Sequence, residues 1–135
     1  MRHMLDTDTC VAMIRRRPEG LLRRLVAREP GTVGISAITV SEMAFGVEKS
    51  RDRARNHDAL LRFLLPLTVA PFDERAAHAY GGVRASLEAA GRSIGAMDLL
   101  IAAHALALGS VLVTHNTREF ARVQGLTLED WLDGQ

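Results

Sequence analysis

Short apolar runs of strand character alternate with helical stretches along all 135 residues of the chain, and few folds admit that order. The runs His3–Asp6, Thr32–Ser36, Leu67–Pro71 and Val111–Thr114 read as strands, with Leu126–Leu128 as an edge. Between them lie predicted helices over Asp8–Arg17, Glu19–Glu29, Thr39–Lys49, Asp52–Leu65, Asp73–Ala90 and Asp98–Leu108. Their punctuation agrees. Pro18 suits a helix start, Pro30-Gly31 breaks a helix, Pro66 ends one, and Gly91 and Gly109 close the last two. Leu21, Leu22, Leu25 and Val26 form one buried stripe, and Ala76, Tyr80, Val83, Leu87 and Ala90 form another. Asp98–Leu108 is apolar almost all round, so it requires burial on every side. The expected fold is α/β: a single domain over residues 1–135 with a mostly parallel central sheet flanked by helices. Such sheets bind ligands beyond the carboxyl ends of their strands. Function is therefore sought where strands stop and helices begin.

Composition removes whole classes of function. A 47% hydrophobic content excludes a disordered segment. No apolar run approaches the ~18 residues of a membrane-spanning helix. The start, Met1-Arg2-His3-Met4-Leu5-Asp6, reaches a carboxylate before any signal-like stretch, so the chain reads as soluble and cytoplasmic, without a membrane partner. Cys10, the single cysteine, closes no internal disulfide and supplies no zinc pair. Seventeen basic against 16 acidic residues exclude a strongly basic nucleic-acid coat, although a local patch stays open. Aromatic residues at 4% argue against a platform that stacks single-stranded bases.

Four acids fall where the fold would place a ligand. Asp6 closes the first strand, Glu42 follows the second, Asp98 opens the apolar helix, and Glu119 follows the strand Val111–Thr114. Each also has a purely structural reading. Thr39-x-x-Glu42 is a capping box and Asn116-x-x-Glu119 is close to one. Asp98 favours a helix N-terminus through the macrodipole, and Asp6 with Asp8 makes an Asx-type turn. Taken together, four carboxylates over one end of a sheet repel one another, and their pKa values rise unless a cation sits among them. Oxygen ligands without His or Cys suit Mg²⁺, with Mn²⁺ as the substitute, rather than zinc. The histidines at 3, 57, 78, 104 and 115 lack ligand spacing and read as structural or exposed, with only His115 left open by its place beside the acids. A carboxylate cage holding Mg²⁺ is a device for phosphodiester chemistry, in which the ion activates water and steadies the leaving oxyanion.

The segments Met4-Leu5-Asp6-Thr7-Asp8-Thr9, Ser36–Glu42 leading to Gly46-Val47-Glu48-Lys49-Ser50, Gly95–Asp98, and Thr114-His115-Asn116-Thr117-Arg118-Glu119-Phe120 together resemble PIN-domain toxins of the VapC family. In order and spacing the resemblance runs from residue 4 to Trp131. It implies a PIN-like fold and a Mg²⁺-dependent endoribonuclease, the toxin of a type II toxin–antitoxin pair. It further implies a homodimer, a cognate VapB-type antitoxin, and a structured RNA substrate such as a tRNA or ribosomal RNA loop. By position, Asp6, Glu42 and Asp98 correspond to the family's core acids and Glu119 to the fourth, often Asp elsewhere. Thr114 and Asn116 correspond to polar residues that hold Asp6 or a water, and Asp8 to a supporting position.

Two other readings compete. Asp6-x-Asp8 after an N-terminal strand imitates a haloacid-dehalogenase-like phosphatase, but position 10 is Cys and the only lysine is Lys49. A non-catalytic interaction module that kept the fold would be marked by a missing core acid. No phosphate-binding glycine loop occurs. Arg15, Arg16, Arg17, Arg23, Arg24 and Arg28 cluster on the first two predicted helices, where they form either a track for phosphates or a solvated face. The apolar run Leu60–Leu67 suits either a partner surface or the core.

Overall fold

The structure, a computed structural model, describes residues 1–132, so the last three residues of the expected 1–135 domain lie outside the described residues. Its elements are β1 (His3–Leu5), α1 (Thr7–Arg16), α2 (Glu19–Val26), β2 (Val33–Ser36), α3 (Ala37–Glu48), α4 (Arg53–Leu64), β3 (Thr68–Ala70), α5 (Glu74–Ala89), α6 (Ala96–Leu108), β4 (Val111–Val113), α7 (Thr117–Phe120) and β5 (Leu128–Glu129). The five strands form one parallel sheet in the order β3-β2-β1-β4-β5. This is the α/β architecture expected from the alternation. Among the described residues no helix is long and apolar enough to cross a membrane.

Pleating divides the core into two. Met4 and Leu112 point to one face, where Val83 and Leu87 of α5 and Leu99, Ile101, Ala102 and Ala105 of α6 cover them. Leu5 and Val113, the next residues along, point to the other face and meet Cys10 and Met13 of α1, Leu21 of α2, Met43 of α3, Leu60 of α4 and Trp131. The apolar helix is buried as its composition requires: Ile101, Ala102, Ala103, His104 and Ala105 are all at most 1% exposed. The path steps outward from β1 through β2 to β3, then crosses back to β4 by way of α5 and α6 on the opposite face. Strands β1 and β4 therefore flank the point where the winding reverses, the place where open parallel sheets make ligand crevices.

Several boundaries differ from the sequence reading, each for a local reason. Helix α2 stops at Val26, three residues short of Glu29, because the residue before a proline disfavours helical backbone. Glu29-Pro30-Gly31-Thr32 instead makes a turn, with the Thr32 N–H donating to the Glu29 carbonyl at 3.1 Å and Gly31 at φ +87°. Helix α3 starts at Ala37 rather than Thr39, since the Ser36 hydroxyl accepts the Ile38 N–H at 3.0 Å and caps it. Helix α6 starts at Ala96, not Asp98. The edge strand is Leu128–Glu129 rather than Leu126–Leu128, and the single turn α7 adds an element that the sequence pattern does not announce. In α5 the stripe buries Ala76, Val83 and Leu87, but Ala90 caps the helix and is exposed. Of the run Leu60–Leu67, Leu60 is buried while Leu61 and Leu65 are exposed.

Gly34 of β2 has no room for a side chain, because an added Cβ would lie 2.2 Å from the Thr68 carbonyl oxygen of β3. Gly34→Ala is expected to lower stability by about 1–3 kcal/mol through overpacking. Gly82→Ala, in α5 with nothing within 4 Å of the new methyl, is expected to raise stability by about 0.5–1 kcal/mol. Urea midpoints of the two variants check both signs.

Candidate active site

Asp6 sits where β1 ends and α1 begins, and it is only 2% exposed. As the N-cap of α1, its Oδ1 accepts the Thr9 N–H at 2.9 Å. Its Oδ2 accepts the Thr114 hydroxyl at 2.6 Å, and its own N–H donates to the Val113 carbonyl at 3.0 Å. Thr114 is steadied in turn by the Asn116 N–H, which donates to its Oγ1 at 2.9 Å. Burial pushes the Asp6 carboxyl above its ordinary pKa, and the bonds from Thr114 and Thr9 pull the other way.

Glu42, half-buried on α3, accepts a hydrogen bond from the Thr7 hydroxyl, which also lies 3.3 Å from Thr39 Oγ1. Thr39 is buried inside the helix, so the capping-box reading of Thr39 and Glu42 fails because Ser36 already occupies the cap. The side chain of Glu42 is thereby aimed back toward the start of α1. Thr7, which does this positioning, and Thr9, whose N–H holds Asp6, are not among the candidates that the sequence offers. Their signal is nevertheless present: an aspartate N-cap takes the amide three residues on, and the threonine directly after it brings a hydroxyl to the same helix start.

Glu119 is held on both oxygens. Oε1 accepts the Gly95 N–H at 3.1 Å and Oε2 accepts the Asn116 Nδ2–H at 2.7 Å. Those bonds lower its pKa, that from Asn116 most. The Asn116 side chain makes no cap bond to α7, so it serves Glu119 rather than Asp6 or the helix end. The Gly95 contact matters because Gly95 caps α6, whose first turn carries Asp98. Glu119 is thus drawn to the entrance of the helix that presents the third acid.

Asp98 is where the crowding registers. Its carboxyl is pushed up to about 6, first by partial burial and then by the negative charges of Glu119, Asp6, Glu42 and Asp8. All four candidate acids thus bear on one point, with exposed Asp8 beside them. Among the described residues, no three His, Cys, Asp or Glu side chains form a ready-made cluster able to hold an ion by themselves. The donor set nonetheless fits a hard divalent cation: all oxygens, mutually repelling, and partly open to water. Mg²⁺ keeps several of its waters and uses only one or two carboxylates directly. An open ring of acids suits it better than a closed cage.

The remaining candidates fall outside this constellation. The Cys10 thiol is buried and raised well above its usual pKa, which makes it inert. His115 Nδ1 pairs with Asp130 Oδ2 at 3.0 Å, toward the C-terminal segment.

The raised Asp98 carboxyl makes stability depend on pH with a definite sign. Between the ordinary 3.8 and about 6 the folded state holds a proton that the unfolded chain has released. Stability without metal therefore falls as pH rises through that window and does not recover above it. Asp98→Asn is expected to remove this decline and to melt higher than wild type at neutral pH. Melting curves from pH 4 to 7.5 in EDTA check it. A lower melting temperature would instead mark a helix-start role, worth about 0.5–2 kcal/mol.

Comparison with known proteins agrees with this geometry. The PIN domain family model matches residues 3–126. Ribonuclease VapC2 of Rickettsia felis is 39% identical over 97% of this chain and 98% of that protein. The tRNA(fMet)-specific endonuclease VapC of Shigella flexneri is also 39% identical, over 97% and 98%. The crystal structure of DNA-bound VapBC from Salmonella typhimurium contains a chain that superposes with a TM-score of 0.94 at 39% identity, over 97% of this chain and 98% of that one. On the sequence match, the shared fold and the acids gathered at the β1–β4 crevice, the chain belongs to the PIN-domain family, among the VapC ribonucleases.

Proposed function

We propose that this chain is the toxin of a VapBC-type toxin–antitoxin pair, an endoribonuclease that hydrolyses structured RNA with the help of Mg²⁺ or Mn²⁺. The observation that carries the reading is the convergence of Asp6, Glu42, Asp98 and Glu119 on one crevice, where partial burial and then the charges of the other acids lift Asp98 to about 6. Asp6, Glu42 and Asp98 would hold the ion through carboxylate oxygens, which keep free lone pairs beyond their protein hydrogen bonds. Glu119, held by Gly95 and Asn116, would join them through water. Asp8 adds charge from the supporting position. A bound ion would supply a nucleophilic water at neutral pH and neutralise charge on the scissile phosphate. Water would be the attacking group: its oxygen bonds to phosphorus as the phosphorus–oxygen bond to the leaving sugar breaks, and the proton the water gives up offsets the one the leaving oxygen takes. Thr114 and Asn116 keep Asp6 and Glu119 in place while this happens, and Thr7 does so for Glu42.

The relatives support the substrate and the partner. Those named tRNA(fMet)-specific endonuclease put tRNA first among the structured RNAs to test here. The similar chains solved in VapBC assemblies support a VapB-type antitoxin, and membership of the family supports a homodimeric toxin. A cationic side chain from such a partner would silence the site by taking the cation's place among the carboxylates. Exposed Arg15, Arg16, Arg17 and Arg23 are placed to follow an RNA backbone on the α1–α2 side. Arg28 and Arg24 are partly engaged, Arg28 over the Trp131 ring at 5.1 Å and Arg24 toward the Asp130 carbonyl.

Asp6→Asn and Asp98→Asn are expected to abolish RNA cleavage, and Glu119→Gln to reduce it less. Sequencing the 5′ ends of RNA fragments after induction tests the activity and locates the cut. Full cleavage by metal-stripped protein in excess EDTA would overturn the metal-dependent part. Separately, Arg16→Ala/Arg23→Ala protein is expected to bind RNA more weakly, with a salt slope smaller by about one unit for each phosphate no longer neutralised. An unchanged slope would make the arginines a solvated face.

A further inference from the structure

The molecule contains a second buried polar link that the chemistry described above does not use. His104, in the middle of α6 and 1% exposed, places Nδ1 2.8 Å from the hydroxyl of Ser36, which is fully buried at the end of β2. The Pro71 carbonyl beside the ring draws its proton. With the proton assigned to Nε2 on that side, Nδ1 is the nitrogen left to accept from Ser36. That assignment determines the rest of the chain. Nε2 carries the proton, Nδ1 accepts from the Ser36 hydroxyl, and the Ser36 oxygen accepts the Ile38 N–H at 3.0 Å. Burial, the largest influence on His104, favours the same neutral ring. The Phe72 ring meets the imidazole edge-on at 5.2 Å between centroids.

The supports joined in this way are those of the acids. Ser36 caps α3, which carries Glu42 six residues later, and it follows Ile35 in a register that sets it level with Asp6. His104 lies on α6 six residues beyond Asp98. Apolar packing of α6 is strong but non-directional, and it tolerates sliding along a smooth surface of alanines and leucines. A buried hydrogen bond does not, because a shift leaves its donor or acceptor unpaired in the core. We propose that the Ser36–His104 hydrogen bond is a positioning device that sets α3 against α6, and through them Glu42 against Asp98, at the spacing that binds the divalent cation. The inference rests on the metal-dependent reading of the site.

The test is Mn²⁺ binding to the full chain by calorimetry, well below each variant's melting temperature. His104→Phe keeps the bulk and removes the bond to Ser36, and Ser36→Ala removes the hydroxyl. His104→Asn keeps an acceptor where Nδ1 stood. Leu21→Ala, in the opposite core, controls for lost stability. His104→Phe and Ser36→Ala are expected to weaken Mn²⁺ binding about tenfold, the scale of outer-shell effects at metal sites. His104→Asn is expected to restore most of that loss and Leu21→Ala to cause none, and saturating Mn²⁺ should return cleavage by Ser36→Ala toward wild type. Wild-type affinity in His104→Phe, no rescue by His104→Asn, or an equal loss in Leu21→Ala would overturn the positioning role. A wild-type chain that binds no Mn²⁺ would overturn both this inference and the metal-dependent reading. Normal wild-type binding with an indifferent His104→Phe would overturn this inference alone.

Discussion

The buried Asp6 carboxylate, bonded by the Thr114 hydroxyl on one oxygen and the Thr9 N–H on the other, joins β1, β4 and α1 at one point. A carboxylate taken out of water is costly unless its lone pairs are satisfied. The chain therefore has to deliver a hydroxyl from β4 and an amide from α1 to the same place. That requirement sets the central strand pair in register, fixes where α1 begins, and puts a negative group at the floor of the crevice where the winding reverses. The other acids are arranged around it.

They are held by different means. Glu42 is hooked by Thr7, and Glu119 is pinned by Asn116 and the Gly95 amide, bonds that favour its charged form. Asp98 has its proton affinity lifted first by burial and then by the combined repulsion of the rest. A site of this kind stores unfavourable electrostatic energy in the folded protein. A cation bound there would release that energy and so couple metal affinity to stability. The same field suits regulation by a cationic side chain of a partner, since either positive charge relieves the same repulsion.

Around this strained end the protein is stiff. The two cores meet the sheet on opposite faces, and α6 is enclosed along most of its length. Polar groups inside those cores are few, and some are linked, as in the run from Ile38 through Ser36 to His104. Directional bonds of this sort set helix spacing where apolar contact alone leaves it loose. The C-terminal segment adds another tie, with Trp131 fully buried and its indole N–H donating to Glu129 at 2.8 Å.

The sequence by itself determined the class of fold, the burial of α6 and the four acids, because each rests on a local pattern. Alternation of strand and helix dictates a parallel sheet, an apolar helix must be covered, and acids at strand ends fall at the ligand-binding edge. Local pattern fails where two short-range signals compete. Ser36 reads equally as the last strand residue or as a helix cap, so the pattern starts α3 at Thr39 and gives Glu42 a capping partner it does not have. Tertiary structure alone decided the partners. Thr7 with Glu42, Gly95 with Glu119 and Ser36 with His104 are separated by 24 to 68 positions along the chain, and Thr114 with Asp6, 108 apart, is anticipated only through the family resemblance. No periodicity records such pairs, because a hydrogen bond between distant residues depends on how strands and helices stack and not on what lies beside either residue in the sequence.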